Sequence, residues 1–240
     1  MRDFLLEIGS EEIPASFQRP AAEALRRELQ AWFKESRIQF GPSRVFYGMR
    51  RLAVRFQGVA ESQEAKTVEI QGPPRKAAFD ATGKPTKTAL GFVRTHGREL
   101  SDLVIRQTPK GEYLFITKTL APQPTTELLA QALPEIISRL PFPKNMRWGA
   151  EGFRFARPIR WLVALLGSEP ITFRLEDVTS GCMTWGHRLS EPDRATLNSP
   201  ADYESVLEQM NVIVDPLERR TRVQTAIEQL LAGTGQLIAD

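Results

Sequence analysis

Apolar and polar positions along this chain change period several times, and each change marks an element. Phe4-Leu5-Leu6-Glu7-Ile8 predicts a short strand ending at Gly9-Ser10. From about Phe17 to Ser36, the apolar positions Ala21, Leu25, Leu29, Trp32 and Phe33 recur at helical spacing and predict a long amphipathic helix. Pro14 and Pro20 are expected before that helix or in its first turn, where a missing N–H costs little. Glu11 and Glu12 near its start suit the helix dipole. Gly41-Pro42 marks a turn, and Arg44–Tyr47 and Leu52–Phe56 read as strands with Gly48 helping the reversal.

Farther on, Glu69 to Thr88 is rich in glycine, proline and lysine and reads as an irregular surface loop. A short helix begins near Thr88, capped by Thr86 or Thr88. A hairpin joins Leu103–Gln107 to Tyr113–Thr119 around Pro109-Lys110-Gly111. A second long helix starts at Thr125 and ends near Leu140, before Pro141-Phe142-Pro143. Trp161–Leu166 and Ile171–Leu175 form a hairpin across Gly167-Ser168-Glu169-Pro170, and Thr184–Arg188 is a further strand. Ser199 and Pro200 have the N-cap and first-position chemistry of a helix running to about Met210. Another helix spans Pro216 to Leu231, stopped by Gly233-Thr234-Gly235. Hairpins and helices alternate without a regular βαβ rhythm, so the class is α+β with a largely antiparallel sheet.

At 240 residues the chain can bury a sizeable core, and its 41% hydrophobic and 25% charged residues are those of an ordinary globular protein. No apolar run approaches the roughly 18 residues of a membrane span. The start, Met1 to Glu7, lacks a signal-peptide core. One cysteine, Cys182, excludes an internal disulfide and reads as a small buried side chain. The expected compartment is the cytoplasm, with no membrane partner. The net charge of +3 is too small to argue for nucleic-acid binding in bulk; 24 of the 32 basic residues are arginine, a bias that favours bidentate anion contacts but that genome base composition or a warm habitat produces equally well.

Lys144 to Trp161 places five basic side chains among four aromatics within 18 residues. Guanidinium groups pair with phosphate and stack on π faces, as an RNA surface requires. The same alternation also suits a half-buried strand, with Phe153, Phe155, Ile159 and Trp161 inside and the arginines merely solvated. Both readings stand at this point. Arg50-Arg51 could contact backbone phosphate or simply open a strand. Trp185-Gly186-His187-Arg188 could read a base edge or be a structural turn. Glu7, Glu11 and Glu12 form an acidic cluster by a glycine turn, readable as dipole complement or as functional carboxylates. There is no Walker loop, and His96 and His187 are not spaced as a metal pair.

Six stretches taken in order carry a family resemblance. They are Phe4-Leu5-Leu6-Glu7-Ile8-Gly9-Ser10-Glu11-Glu12-Ile13-Pro14, then Arg50-Arg51-Leu52-Ala53-Val54, then Gly72-Pro73-Pro74 with Ala78 to Lys87. Leu140 to Gly149, Phe155-Ala156-Arg157-Pro158 and Gly186-His187-Arg188 complete the set. Together they resemble the amino-terminal part of the beta subunit of bacterial glycyl-tRNA synthetases. The resemblance implies an α2β2 class II ligase that joins glycine to tRNA(Gly). ATP and Mg are then used by the alpha subunit, and this region has no cofactor, metal or catalytic residue of its own. It implies that residues 1–195 form an α+β module similar to the B3/B4 domain of the phenylalanyl enzyme's beta subunit. Residues 196–240 would be a helical segment leading to the remainder of a longer subunit. Arg50, Arg51, Arg147, Trp148, Arg157, Arg160, His187 and Arg188 are then expected to contact tRNA or the alpha subunit. The alternatives are a purely structural scaffold packed on the alpha subunit, or an editing-like hydrolase module. Glycine is the smallest amino acid, so a tight pocket can discriminate without a second sieve.

Overall fold

The computed structural model describes residues 1–80, 82–232 and 235. The chain begins with β1 (Arg2–Ser10), α1 (Ala15–Glu35), β2 (Ser43–Gly48) and β3 (Arg51–Val59). A second compact unit, Glu64–Pro122, is then inserted. It contains β4 (Lys66–Pro74), α2 (Arg75–Ala78), α3 (Lys87–Thr95), β5 (Val104–Thr108) and β6 (Gly111–Leu120). The first unit resumes with α4 (Thr125–Ser138), β7 (Met146–Trp148), β8 (Phe153–Phe155), β9 (Ile159–Leu166) and β10 (Glu169–Pro170). It continues through β11 (Arg174–Leu175), β12 (Val178–Thr179), β13 (Met183–Trp185), β14 (Arg194–Thr196), α5 (Tyr203–Gln209) and α6 (Pro216–Leu231). The fold is α+β, and all pairings between these strands are antiparallel. Among the described residues, no helix is long and apolar enough to cross a membrane.

The main sheet has the order β10-β9-β1-β3-β2, so β1 lies at its centre and is covered on both faces. Phe4, Leu6 and Ile8 point to one side, where they meet Leu25, Leu29 and Phe33 of α1 and Leu129, Leu133 and Ile137 of α4. Phe33 stands edge-on to Phe4 and Phe56, with centroids 6.0 and 5.2 Å apart. Burying each such side chain fully contributes about 1.5–3 kcal/mol. The other face carries Leu5, Val163 and Leu165 under Tyr203, Leu207 and Met210. Glu7 is on this second face.

Several expectations are corrected. The stretch from Glu69 is not a loop: β4 runs through Gly72-Pro73-Pro74 and α2 follows. β4 is an edge strand, where a missing proline N–H breaks no ladder. Pro20 lies inside α1 beyond its first turn, and that turn holds no acidic residue, because Glu11 and Glu12 precede the Pro14 cap. The hairpin after β9 is short. Ile171 donates its N–H to the Ala164 carbonyl, and Arg174–Leu175 pairs with Val178–Thr179. β13 ends at Trp185, so His187 and Arg188 fall in the following turn. The Ser199 hydroxyl accepts from the Ala201 N–H as expected, and Asp215 caps α6. The glycine stop at Gly233-Thr234 lies outside the described residues.

Candidate functional site

On the second face of the sheet, strand register lines up Arg51 of β3, Gly9 of β1 and Trp161 of β9 in one row. The next row is Ala53, Glu7 and Val163. Because Gly9 has no side chain, the indole of Trp161 lies directly over it. A Cβ there would stand 1.9 Å from Trp161 Cε2. Trp185 packs on Trp161 with centroids 5.1 Å apart and planes at 34°. The guanidinium carbons of Arg50 and Arg51 stand 5.5 and 5.6 Å from the Trp161 ring centroid, within cation–π range.

Beneath this stack, Glu7 is fully buried. Arg51 Nη1 donates to its Oε1 at 3.0 Å, and the Thr184 hydroxyl donates to its Oε2 at 2.7 Å. Arg51 Nη2 also donates to the Trp185 carbonyl. These bonds tie β13, and with it the turn that carries His187 and Arg188, to the end of the sheet. The Trp161 indole N–H and Tyr203 hydroxyl favour the charged carboxylate without closing normal hydrogen bonds. Burial nevertheless dominates and pushes the Glu7 carboxyl above its ordinary value, with Arg51 opposing. Burial, with the Glu7 charge beside it, also pushes the Tyr203 hydroxyl well up.

The sign for stability follows from proton binding. Between the ordinary carboxylate value and the raised one, the folded chain holds a proton that the unfolded chain releases. The contribution of Glu7 is therefore fully present below the ordinary value and declines as pH rises through the raised one. Denaturant unfolding across that range is expected to show this decline, and Glu7→Gln to flatten it. An equal slope in Glu7→Gln would assign the slope to other groups.

Outside this interior, three arginines gather around the chain leaving β1. Arg160 Nε donates to Glu11 Oε1 at 2.6 Å, and Arg188 pairs with the Glu12 carboxylate. Arg157 donates to the backbone carbonyls of Glu12 and Ala156. A cleft of about 390 Å³ adjoins, lined by Arg160, Trp161, Asp177, Thr179, Cys182 and Trp185 among others. Cys182 is half-buried here.

Of the eight residues singled out from sequence, Arg50, Arg51, Arg157, Arg160, His187 and Arg188 thus belong to one end of the sheet. Arg51 is corrected from a phosphate contact to an interior group, because its guanidinium is buried against Glu7. His187 is exposed, and its Nδ1 accepts from the Leu189 N–H at 3.3 Å. Arg147 and Trp148 sit on a separate hairpin, β7–β8. Its turn uses Gly149 and Gly152 at positive φ and is held by Glu176, which accepts from the Glu151 and Phe153 N–H groups. Trp148 is half-buried, edge-on to Phe153 at 5.9 Å. Arg147 stands directly opposite Arg154. Both are exposed, and neither is in an ion pair among the described residues. Like charges in opposed strand positions destabilise a hairpin, so folding gives no reason for this pair. Arg154 was not singled out from sequence, because the register that sets it against Arg147 depends on the length of the glycine turn.

The chain matches the family model described as glycyl-tRNA synthetase beta subunit over residues 4–240. It is 46% identical over 235 residues to the glycine–tRNA ligase beta subunit of Desulfitobacterium hafniense (strain DSM 10664 / DCB-2), covering 98% of this chain and 34% of that protein. Its identity is 42% over 233 residues to that of Syntrophotalea carbinolica, covering 97% and 34%. To that of Bacillus subtilis (strain 168) it is 42% over 231 residues, covering 96% and 34%. The chain spans about a third of the length of the curated relatives it matches.

Proposed function

This chain belongs to the glycyl-tRNA synthetase beta subunit family, and from that premise we propose that it serves ATP-dependent glycylation of tRNA by recognising tRNA(Gly) and helping assemble an α2β2 complex. The observation that carries this reading is the family match over residues 4–240. In this reading the alpha subunit uses ATP and Mg and makes the bond, while the present chain positions the tRNA in the cytoplasm. At residue level, the reading rests on the opposed Arg147 and Arg154, whose unbalanced charge suits a phosphate. Arg160 and Arg188 add to it, because exposed pairs such as theirs with Glu11 and Glu12 are worth only about 0–1 kcal/mol and yield readily to a phosphate. The same pairs also suit a docking face for the alpha subunit, since Glu11 and Glu12 leave that surface nearly neutral.

Arg147→Ala with Arg154→Ala is expected to leave stability unchanged or raise it by a few tenths of a kcal/mol, as opposed like charges are removed. Affinity of the chain for tRNA(Gly) in filter binding is expected to drop, with the log–log salt slope shallower by roughly 1.5 for two lost phosphate contacts. No tRNA binding by the unmodified chain at low salt, together with co-elution with the alpha subunit, would leave the scaffold reading instead.

A further inference from the structure

Positive charge is unevenly placed along this chain. The inserted unit, residues 64–122, holds ten basic and six acidic residues for a net of +4, whereas the rest holds 22 and 23 for a net of −1. Six of the chain's eight lysines are in the insert. Five of its six carboxylates are engaged locally. Glu112 pairs with Arg75 at 2.9 Å and Glu69 with Arg106 at 2.6 Å. Glu99 and Asp102 cap each other's backbone N–H groups. Asp80 accepts from the Thr82 N–H and hydroxyl and from the Lys84 N–H, contacts that hold its carboxyl below the usual range.

Apart from Arg75 and Arg106, the cations are not matched in this way. Among the described residues, Lys76, Lys84, Lys87, Arg94 and Arg98 are in no ion pair. Lys87, Arg94 and Arg98 line one shallow cleft of about 1030 Å³ along α3 and the turn after it, together with Leu90, Gly91 and Gly97. Gly91 and Gly97 leave its floor open, with no atom near where a Cβ would stand. Lys87 and Arg94 are seven residues apart on α3, about 10 Å at ~1.5 Å per residue. Lys87 also stands in the first turn, where the helix dipole disfavours a cation and no acidic residue offsets it. The dipole favours Arg94 in the last turn, but local folding accounts for neither Lys87 nor Arg98.

We infer that this face of α3 in the inserted unit binds the phosphate backbone of an RNA, which on the function proposed above is the tRNA. Lysine is a mobile point charge for phosphate, and a row of unmatched cations suits a repeating polyanion. The cleft's one carboxylate, Glu99, is already committed to its cap. Such contacts grip without reading sequence.

The test is filter binding of the 240-residue chain to tRNA(Gly) over a salt series, comparing the unmodified chain with Lys87→Gln/Arg94→Gln/Arg98→Gln. The triple variant is expected to keep its melting temperature, to bind at least tenfold more weakly at low salt, and to show a slope shallower by about 2–3. If the triple variant is destabilised, Lys87→Gln alone, at an exposed site, is expected to reduce the slope by about 0.7–0.9. An unchanged slope in a variant of a chain that does bind tRNA overturns this inference and leaves the function standing. A chain that binds no tRNA at any salt overturns the function first. Loss of alpha-subunit retention with an unchanged tRNA slope makes the face a protein interface and overturns the inference.

Discussion

Arg51→Met is expected to cost about 3–5 kcal/mol of folding stability near neutral pH, because it strands the Glu7 carboxylate in the interior without a counter-charge. The environment leaves little room for relief. Glu7 is fully buried, and without Arg51 only the Thr184 hydroxyl, among the described residues, still donates to it in normal geometry. Glu7→Leu is expected to be costly by a similar amount, since the guanidinium then keeps the Trp185 carbonyl and the Trp161 ring but no counter-charge among the described residues. Glu7→Leu with Arg51→Met removes both charges and is expected to cost far less than the two singles added together. Acidity separates the singles. The raised Glu7 carboxyl takes up a proton as pH falls, so the penalty of Arg51→Met shrinks toward mildly acidic pH. The penalty of Glu7→Leu does not, because a guanidinium stays charged. Urea unfolding of the three variants at two pH values decides the matter. Additive single effects, or singles under about 1 kcal/mol, would show that the pair is solvated in solution.

The pair also explains why part of this site is hard to see in the sequence. Arg51 lies 44 residues from Glu7, and Thr184 lies 177 residues away. No local pattern joins them, and an acid beside a glycine turn reads equally well as a helix-dipole complement. Elements built from local rules were legible. The 3.6-residue period of α1 and α4, the turn between β5 and β6, and the Ser199 cap each depend on side chains a few positions apart. Where a feature depends on sheet order, the sequence misleads. Pro73 and Pro74 argue against a strand until β4 proves to be an edge. Within the segment from Lys144 to Trp161, residue types were legible and their directions were not. Trp161 points inward over Gly9, Arg154 points outward against Arg147, and only the register distinguishes them. The insert was not foreseen, because lysine enrichment alone does not mark a domain boundary and the contacts that close its ends join residues far apart in sequence. The ends meet through pairing of Ser62 with Pro124 and the Gln63 N–H with the Gln123 carbonyl.

Gly9→Ala is expected to destabilise the chain by about 1–3 kcal/mol or more, although one methyl group is the whole change. Replacing a strand glycine by alanine ordinarily gains stability, about 0.4–1 kcal/mol, by restricting the unfolded chain. Here the added carbon would meet Trp161 Cδ2 and Cε2 at 2.0 and 1.9 Å, so the indole has to leave its place. It cannot move alone, because Trp185, Arg50 and Arg51 are stacked on or against it. Trp161→Leu by itself leaves space above Gly9 and is expected to cost about 2–5 kcal/mol, as other large-to-small core changes do. Gly9→Ala in the Trp161→Leu background is therefore expected to be nearly neutral or stabilising. That reversal of sign identifies the steric contact as the cause. If Gly9→Ala costs the same in both backgrounds, the backbone of β1 and not the indole sets the requirement for glycine. The same burial bears on the proposed RNA binding. Trp161 is 3% exposed, so its ring supports the site from within and offers no face to a base. On the function proposed above, folded Trp161→Leu protein is expected to keep the full salt slope of tRNA binding, which Arg147→Ala with Arg154→Ala makes shallower.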